Sequence, residues 1–230
     1  MKLPPLIPGT LLRRYKRFLA DIELEDGTTV TVHCPNSGSM KGCATPGSRV
    51  YISRSTNTAR TYPFTWELAE ADGFWAGINT SLPNRLVHEA IANGTVIELQ
   101  GYDTIRPEVP YGEHSRIDLL LESPVRRCFV EVKNVTLVEN GKALFPDAVT
   151  TRGQKHLNEL MRVVRDGDRG VIFFTVQRGD GRSVSPADSI DPEYGRLLRL
   201  ALKNGVEALA YRAQVTPQEI VLTERLPVIV

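Results

Sequence analysis

A continuous apolar run, Gly170–Gln177, constrains the fold of this chain more than any other feature, because it contains no charged side chain. Such a strand needs cover on both faces, which is typical of a central strand in an α/β sheet. Helical patterns flank the run, from about Thr151 to Asp166 and from Asp191-Pro192 to Asn204-Gly205. We therefore predict an α/β domain in which helices cover the sheet.

Turn and cap signals predict the remaining elements of this domain, which we place at residues 79–230. Ser81 is a candidate N-cap for a helix that ends near Asn93-Gly94. The tripeptide Glu139-Asn140-Gly141 is typical of a hairpin turn. Apolar runs predict four further strands: Tyr102–Val109, Ile117–Glu122, Arg127–Lys133 and Val206–Val215.

Residues 1–78 have a different pattern, in which short β-branched and aromatic runs alternate with turns. Several short strands in so short a segment indicate a small β-barrel. The strands are expected in four segments: Leu11–Leu24, Thr28–His33, Arg49–Ser53 and Pro63–Ala69. The change of pattern near Gly77–Pro83 predicts the boundary between the barrel and the α/β domain.

Positive charge is concentrated in the first part of the chain. Residues 1–66 contain nine Lys or Arg against four Asp or Glu, a net charge of +5, whereas the whole chain carries +1. A local positive field favours a polyanion such as nucleic acid, because contacts to phosphates release condensed counterions. A solvated basic face without a partner accounts for the composition equally well.

The segment Arg13–Phe18 combines cations with aromatic side chains. If it is one extended strand, Arg13, Tyr15 and Arg17 share one face, and the residues between them and Phe18 share the other. Aromatic rings beside cations suit a surface that binds single strands. The candidate nucleic-acid contacts are Arg13, Tyr15, Lys16 and Arg17. A structural strand with basic tips that reach solvent is the alternative.

Composition and the N-terminus indicate a globular, cytoplasmic protein. Apolar residues make up 41% of the chain and charged residues 24%, and no run approaches the roughly 20 apolar residues of a membrane helix. The N-terminus lacks a secretory apolar region, so we expect no contact with a membrane. His33, Cys34 and Cys43 offer three possible zinc ligands without an obvious fourth, which favours reduced thiols instead.

Two neighbouring strands carry the candidate chemistry. The two-residue period of Cys128–Lys133 places Glu131 and Lys133 on one face. Asp118 begins an adjacent apolar strand, and one pairing register brings it beside Glu131. Two carboxylates with a main-chain carbonyl and waters suit Mg²⁺ or Mn²⁺, while a lysine can position water or stabilise charge on a phosphate. An ordinary ion pair at the strand end, with Lys133 or Arg116, is the structural alternative.

Two helical residues extend this candidate set. Glu89 is assigned to the apolar side of its helix, where a carboxylate needs compensation. A metal ion would provide it, and so would an arginine partner. Gln154 begins the following helix and fits either a capping box, Thr151-Arg152-Gly153-Gln154, or a place in the active site. The candidate catalytic residues are therefore Asp118, Glu131, Lys133, Glu89 and Gln154, with Asp118, Glu131 and Glu89 as metal ligands.

This order of elements resembles the PD-(D/E)xK restriction-endonuclease-like superfamily, and the whole chain resembles the sugar fermentation stimulation protein family. The matching blocks include His33–Gly38, Ser115–Asp118, Glu131–Leu137 and Phe145–Gly153. The resemblance implies an N-terminal OB-like β-barrel joined to a nuclease-like α/β domain. It also implies DNA binding without strong sequence preference and a role in regulating sugar utilisation, maltose especially.

Three classes of function remain open from the sequence. The first is a Mg²⁺-dependent phosphodiesterase, and the second is a DNA-binding regulator that keeps a nuclease scaffold without turnover. The third is a protein that binds a sugar or another partner directly. The intact acidic set with its lysine favours the first class, and a glycosidase would leave Lys133 and the basic segment without a role. The sequence indicates no oligomeric state.

Overall fold

The computed structural model describes residues 1–111 and 115–230. The first six strands are β1 (Leu6–Tyr15), β2 (Leu19–Leu24), β3 (Thr29–His33), β4 (Arg49–Arg54), β5 (Phe64–Ala71) and β6 (Phe74–Gly77). They form one sheet in the order β3-β2-β1-β4-β5-β6, and β3 also pairs with β5. This second pairing closes the first five strands into a barrel, which confirms the predicted OB-like fold.

The barrel closes around apolar side chains that alternate along its strands. Leu11, Ile22, Val32, Val50 and Trp66 are fully buried in one cluster. Because successive side chains of a strand point to opposite faces, each of these residues has neighbours that face outward. The barrel therefore has its own core, separate from those of the α/β domain.

A tight turn at Lys16, Arg17 and Phe18 joins β1 to β2, so the single extended strand predicted for Arg13–Phe18 is wrong. Lys16 and Arg17 have φ angles of 50° and 63°, in the left-handed region. The turn consists of the three residues between the paired Tyr15 and Leu19, and left-handed residues in hairpin turns are usually Asn or Gly. Lys16, Arg17 and Phe18 therefore lie at the tip of a hairpin.

The second part of the chain contains three α-helices, nine strands and one short 3-10 helix among the described residues. In chain order they are α1 (Pro83–Ala92), the 3-10 helix (Ile97–Leu99), β7 (Thr104–Tyr111), β8 (Ser115–Ser123), β9 (Arg126–Val135), β10 (Leu137–Glu139), β11 (Lys142–Phe145), α2 (Thr151–Arg165), β12 (Arg169–Val176), β13 (Ser183–Pro186), α3 (Pro192–Lys203), β14 (Glu207–Val215) and β15 (Ile220–Arg225). The main sheet has the order β15-β14-β12-β9-β8-β7, and a small sheet has the order β10-β11-β13.

Helices cover both faces of the main sheet, as the apolar run predicted. On β12, Val171 and Phe173 pack in one core with Leu86 and Val87 of α1. Ile172 and Phe174 pack in a second core with residues of α2 and α3. Strand β12 pairs in parallel with both β9 and β14, so the centre of the sheet is parallel while its edges are antiparallel. The mixed α/β class is therefore confirmed.

The structure adds elements that the sequence did not predict. Strands β13 and β15 were missed, and the first residues of the chain pack on the α/β domain instead of the barrel. Lys2 forms a β-bridge with Glu219, and the Leu3 amide donates a hydrogen bond to the Gln218 carbonyl. These contacts are made between backbones distant in sequence, which side-chain periodicity does not encode.

Asp191 connects α2 with α3. Its carboxylate accepts hydrogen bonds, each 2.9 Å long, from the Tyr194 amide at the start of α3, from the Thr150 amide before α2 and from the Gln154 side chain through Nε2. The side chain is 1% exposed. A buried cap with several donors stabilises more than an exposed one, because its loss leaves each donor unsatisfied.

We predict that Asp191→Ala lowers the free energy of unfolding by about 2–4 kcal/mol, since it removes one cap and leaves buried donors without an acceptor. Urea unfolding monitored by circular dichroism measures the change. Asp188→Ala is the matched control, because it removes an exposed ion pair between the turn before α3 and Arg199 of that helix, and its loss should cost less than about 1 kcal/mol. Equal losses in the two variants would contradict the role assigned to Asp191.

Candidate active site

Glu131 of the central strand β9 carries the most buried charge of the candidate site. Its side chain is 2% exposed, and Lys133 Nζ donates a hydrogen bond to Oε1 at 2.6 Å. His156 Nδ1 of α2 contacts the same oxygen. The other oxygen, Oε2, is buried and has no hydrogen-bond partner among the described residues. One oxygen of this carboxylate is thus shared by two donors, while the other is left without one.

Two opposing effects set the pKa of Glu131. Burial raises the pKa, but the nearby Lys133 ammonium and the hydrogen bond from His156 outweigh burial, so that the pKa lies below its ordinary value. Glu131 is therefore ionised at neutral pH. A buried carboxylate that stays ionised is a ligand ready for a cation.

Asp118 of β8 lies next to this cluster and is held by two hydrogen bonds. The Val132 amide donates to Oδ2 at 2.7 Å, and Asn84 Nδ2 of α1 donates to Oδ1 at 2.9 Å. Burial and the negative charge of Glu131 raise the pKa of Asp118 to about 6. Leu119 of β8 pairs with Val130 of β9, and the same antiparallel register continued by one residue brings Asp118 opposite Glu131.

The two carboxylates line a cleft of about 840 Å³ between the barrel and the α/β domain. Arg14, Arg17 and residues 36–39 form the barrel side, whereas residues 145–152 and His156 line the other side. The Met40 amide and the Ser39 hydroxyl both donate to Asp147, at 2.8 and 2.6 Å. These contacts join the two walls at one end of the cleft.

Gly38 permits this close approach of the two walls. A Cβ atom at Gly38 would lie 2.6 Å from Asp147 Oδ1, so a larger residue there would force the Asp147 carboxylate out of its contact with the Met40 amide. Arg14 holds the same loop from the other side, because its guanidinium donates to the carbonyls of Asn36 and Gly38 at 2.8 and 2.9 Å. Arg14 is thus a positioning residue for the cleft wall.

The donor set fits a hard divalent cation that keeps several waters. Within the described residues, no group of three or more His, Cys, Asp or Glu side chains is arranged to hold a metal ion. Asp118 and Glu131 nevertheless supply two carboxylates to one cleft, and Glu131 Oε2 lacks a partner. Mg²⁺ is typically bound through one or two carboxylates plus water, so the residues present fit that ion.

Glu89 does not join this cluster, which corrects the sequence-based assignment. Its side chain is 48% exposed, and its Oε1 pairs with the Met1 ammonium at 2.7 Å. Glu89 lies on the exposed flank of α1, next to the buried row of Leu86 and Ala90. The helix residue that reaches Asp118 is Asn84, which also donates to Glu108.

Gln154 has neither of the two roles considered for it. The N-cap of α2 is Thr150, whose hydroxyl accepts from the Gly153 amide, so Thr151 begins no capping box. Gln154 Nε2 instead donates to both oxygens of Asp191, at 2.9 and 3.1 Å. It lines a groove between α2 and α3 and not the cleft.

The four candidate nucleic-acid contacts lie in two different places in the structure. Arg17 lines the cleft, and Lys16 precedes it at the hairpin tip. Arg13 pairs with Asp21 at 2.8 Å and lies over the Tyr15 ring, while Tyr15 donates to Asp21 at 3.0 Å. Because Asp21 already partners Arg13 and Tyr15, these two residues belong to a local cluster on the barrel and not to the cleft.

Sequence reasoning missed His156, Asn84 and Arg152. His156 is 4% exposed and contacts Glu131, and Arg152 Nε lies 3.4 Å from His156 Nε2. The spacing of Arg152 and His156, four residues apart on α2, places them on one helix face. That signal was present in the sequence, but it indicates the site only once α2 is known to pack on β9.

Comparisons with known proteins agree with this architecture. Residues 12–78 match the SfsA N-terminal OB domain, and residues 81–219 match the sugar fermentation stimulation protein RE domain. The chain therefore belongs to the sugar fermentation stimulation protein family. It is 80% identical over 229 residues to the sugar fermentation stimulation protein homolog of Pelobacter propionicus and 75% identical over 231 residues to that of Geobacter metallireducens. In both comparisons the alignment covers 100% of each chain.

A solved structure shares the complete fold. The structure of Pyrococcus furiosus SfsA in complex with Ca²⁺ has a TM-score of 0.91 and 29% sequence identity to this chain, and the match covers 100% of this chain and 98% of the other. Across residues 1–111 and 115–230, no helix has the length and apolar character needed to cross a membrane.

The raised pKa of Asp118 predicts a specific dependence of stability on pH. The folded protein keeps the Asp118 proton up to about pH 6, whereas the unfolded chain releases it near pH 4. Ionisation of Asp118 therefore lowers the free energy of unfolding as pH rises through this window, by roughly 3 kcal/mol in total. We expect that Asp118→Asn, which lacks this ionisation, gains stability relative to the wild type by that amount between pH 4 and 7.

Urea unfolding in EDTA across this pH range measures the difference between the wild type and Asp118→Asn. Asp103→Asn, a change at an exposed carboxyl, is the matched control and should show a much smaller dependence. A difference between the wild type and Asp118→Asn that does not vary with pH would contradict the assignment.

Proposed function

We propose that the cleft is the active site of a divalent-cation-dependent phosphodiesterase that acts on nucleic acid, DNA in the first instance. The observation that carries this proposal is the pair of carboxylates in one cleft with Lys133: the half-buried Asp118 and the buried Glu131, which has an unpartnered oxygen. Acidic groups are not buried together without a compensating cation. Lys133 supplies part of that compensation, and a metal ion would supply the remainder.

Asp118 and Glu131 would hold the ion, through Glu131 Oε2 and an oxygen of Asp118. When bound, such an ion polarises a phosphoryl oxygen and lowers the pKa of a coordinated water. Mg²⁺ or Mn²⁺ is the proposed species. The Ca²⁺ in the Pyrococcus furiosus relative supports a site for a hard divalent cation.

Lys133 is proposed to stabilise the charge that develops on the phosphate. Its side chain is 11% exposed and is held in place by Glu131, so its ammonium is oriented before a substrate arrives. A preorganised cation in a water-poor site stabilises a transition state more than a mobile one does. Arg152 and Arg17, both exposed in the same cleft, are proposed to bind phosphates without reading bases.

The proposal is tested with calorimetric titration of Mg²⁺ and Mn²⁺ and with cleavage of labelled DNA. Asp118→Asn should weaken metal binding by at least about tenfold, because an amide does not replace the charge of a carboxylate ligand. Lys133→Ala should retain metal binding but lower the cleavage rate by about a hundredfold or more, since the lysine acts on the phosphate and is no ligand. Arg106→Ala, which removes an exposed ion pair outside the cleft, should change neither.

Unchanged metal affinity in Asp118→Asn would contradict the site. A second candidate, a non-catalytic DNA-binding regulator of sugar metabolism genes, is favoured by one contact: Glu131 Oε1 is already paired with Lys133 and His156, so part of its charge is balanced without metal. Metal binding with no cleavage of any DNA would favour that candidate.

A further inference from the structure

The hairpin between β1 and β2 presents an unusual tip. Lys16, Arg17 and Phe18 are all exposed, and the Phe18 side chain is 52% exposed. Lys16 and Arg17 adopt left-handed φ angles, which Asn and Gly adopt more readily. Bulky residues in this backbone region are disfavoured, so the chain bears a conformational cost to present two cations and an aromatic ring together. Such strain is common at functional sites.

The tip is fixed to the wall of the cleft. Arg14 donates both to the Arg17 carbonyl, at 3.0 Å, and to the Asn36 carbonyl, so one guanidinium joins the turn to the cleft loop. The Phe18 carbonyl accepts from the Cys34 amide at 2.7 Å. Arg17 itself lines the cleft, and Phe18 follows it directly. The Phe18 backbone is therefore fixed directly beside a residue that lines the site of Asp118 and Glu131.

The positive charges in the cleft are placed to contact a phosphodiester backbone that runs between its two walls. Arg17 lies on the barrel side, and Lys133 and Arg152 lie on the α/β side. Two of the acidic groups in the cleft already have donors, since Asp147 accepts from the Met40 amide and Glu108 accepts from Asn84. Asp118 and Glu131 are the carboxylates assigned to the metal ion. Because Lys133 pairs with Glu131, Arg17 and Arg152 are the cations available to phosphates on either side of the reacting group.

The size of the cleft limits what can enter it. A volume of about 840 Å³ is within the range of sites that enclose one small organic ligand, and the contacts of Ser39 and Met40 to Asp147 close one end. A nucleotide or two with unstacked bases fits such a space. A stacked duplex presents its bases inward and leaves none for an aromatic ring to contact.

We propose that the substrate is single-stranded nucleic acid, or the unpaired end of a duplex, which enters the cleft past the hairpin tip, stacks one base on Phe18 and places its phosphates between Arg17 and Arg152. This inference rests on the proposed function and specifies its substrate class. Stacking on an exposed ring tolerates any base, because every base has a π-face. The barrel and the α/β domain then bind the same strand at once.

Fluorescence anisotropy with a labelled strand of about 12 nucleotides, within the site size of such folds, tests the proposal in EDTA, where no cleavage occurs. The single strand should bind the full-length protein roughly tenfold more tightly than a blunt duplex of the same sequence. Phe18→Ala should weaken single-strand binding about tenfold, as expected for loss of one base stack. Phe74→Ala is the matched control and should have no effect, because Phe74 is 44% exposed on β6, next to the barrel in the same sheet, and lies outside the cleft.

The double variant Lys16→Asn and Arg17→Gly separates binding from folding. It places the preferred residues in the left-handed turn, so its melting temperature should equal or exceed that of the wild type while its affinity for the single strand falls. Arg54→Ala, at an exposed cation of the barrel outside the cleft, shows the effect of losing one positive charge, against two in the double variant, and should weaken binding by less than half as much in free energy. An affinity of the double variant equal to that of Arg54→Ala would overturn the role of the tip.

The outcome also distinguishes this inference from the proposed function. Equal affinity for duplex and single strand, with Phe18→Ala neutral, would overturn the inference even if metal binding and cleavage are observed. Preference for the single strand that depends on Phe18 would support it even if no cleavage is found. An RNA strand of the same sequence shows whether the site prefers RNA or DNA. Tight binding of either the DNA or the RNA single strand supports the proposal.

Discussion

The ion pair between Glu131 and Lys133 is the interaction on which the candidate site depends. Glu131 is 2% exposed at the centre of a sheet that is otherwise apolar. An unpaired carboxylate at this position would cost several kcal/mol. Lys133 and His156 keep it ionised in the metal-free protein, and a bound cation would do the same. Both partners contact Oε1, and this arrangement leaves Oε2 directed at no other group among the described residues. The chemistry of the cleft follows from that asymmetry.

The second constraint is the joint between the two halves of the chain. On the α/β side, the Asp147 carboxylate accepts from the Met40 amide and the Asp147 carbonyl accepts from the Ser39 hydroxyl. A side chain at Gly38 would displace that carboxylate. Because Arg14 holds the same loop and the β1–β2 turn, the barrel supplies one wall of the cleft in a fixed position. Neither half alone forms the site.

Local periodicity predicted the parts of the structure that depend on local geometry. The two-residue period placed Glu131 and Lys133 together, and the apolar run Gly170–Gln177 predicted a central strand, because both patterns reflect the geometry of a single strand. The hairpin at Asn140-Gly141 was also predicted by its residues, which adopt φ angles of 52° and 78°. Family resemblance then predicted the OB-like and nuclease-like pair of domains.

Sequence periodicity did not predict the contacts between segments that are distant in the chain. Glu89 was misplaced because it adjoins Ala90 in sequence, whereas the rotation of α1 leaves it on the exposed flank. The partner of Gln154 is Asp191, which is 37 residues away, and no helical spacing relates them. The strand assigned to Arg13–Phe18 ends at Tyr15 because Lys16 and Arg17 accept left-handed angles, which propensity alone does not predict for cations.

Anomalous diffraction from crystals soaked with Mn²⁺ tests the central claim most directly, because it locates the ion without reference to turnover. The account predicts an anomalous peak within bonding distance of Glu131 Oε2 and of an Asp118 oxygen, with Lys133 still paired to Glu131 Oε1. Its remaining ligands should be water or main-chain oxygen, as expected for a hard cation with few protein carboxylates. A peak at other residues, or no peak at these carboxylates in crystals that bind Mn²⁺ elsewhere, would contradict it.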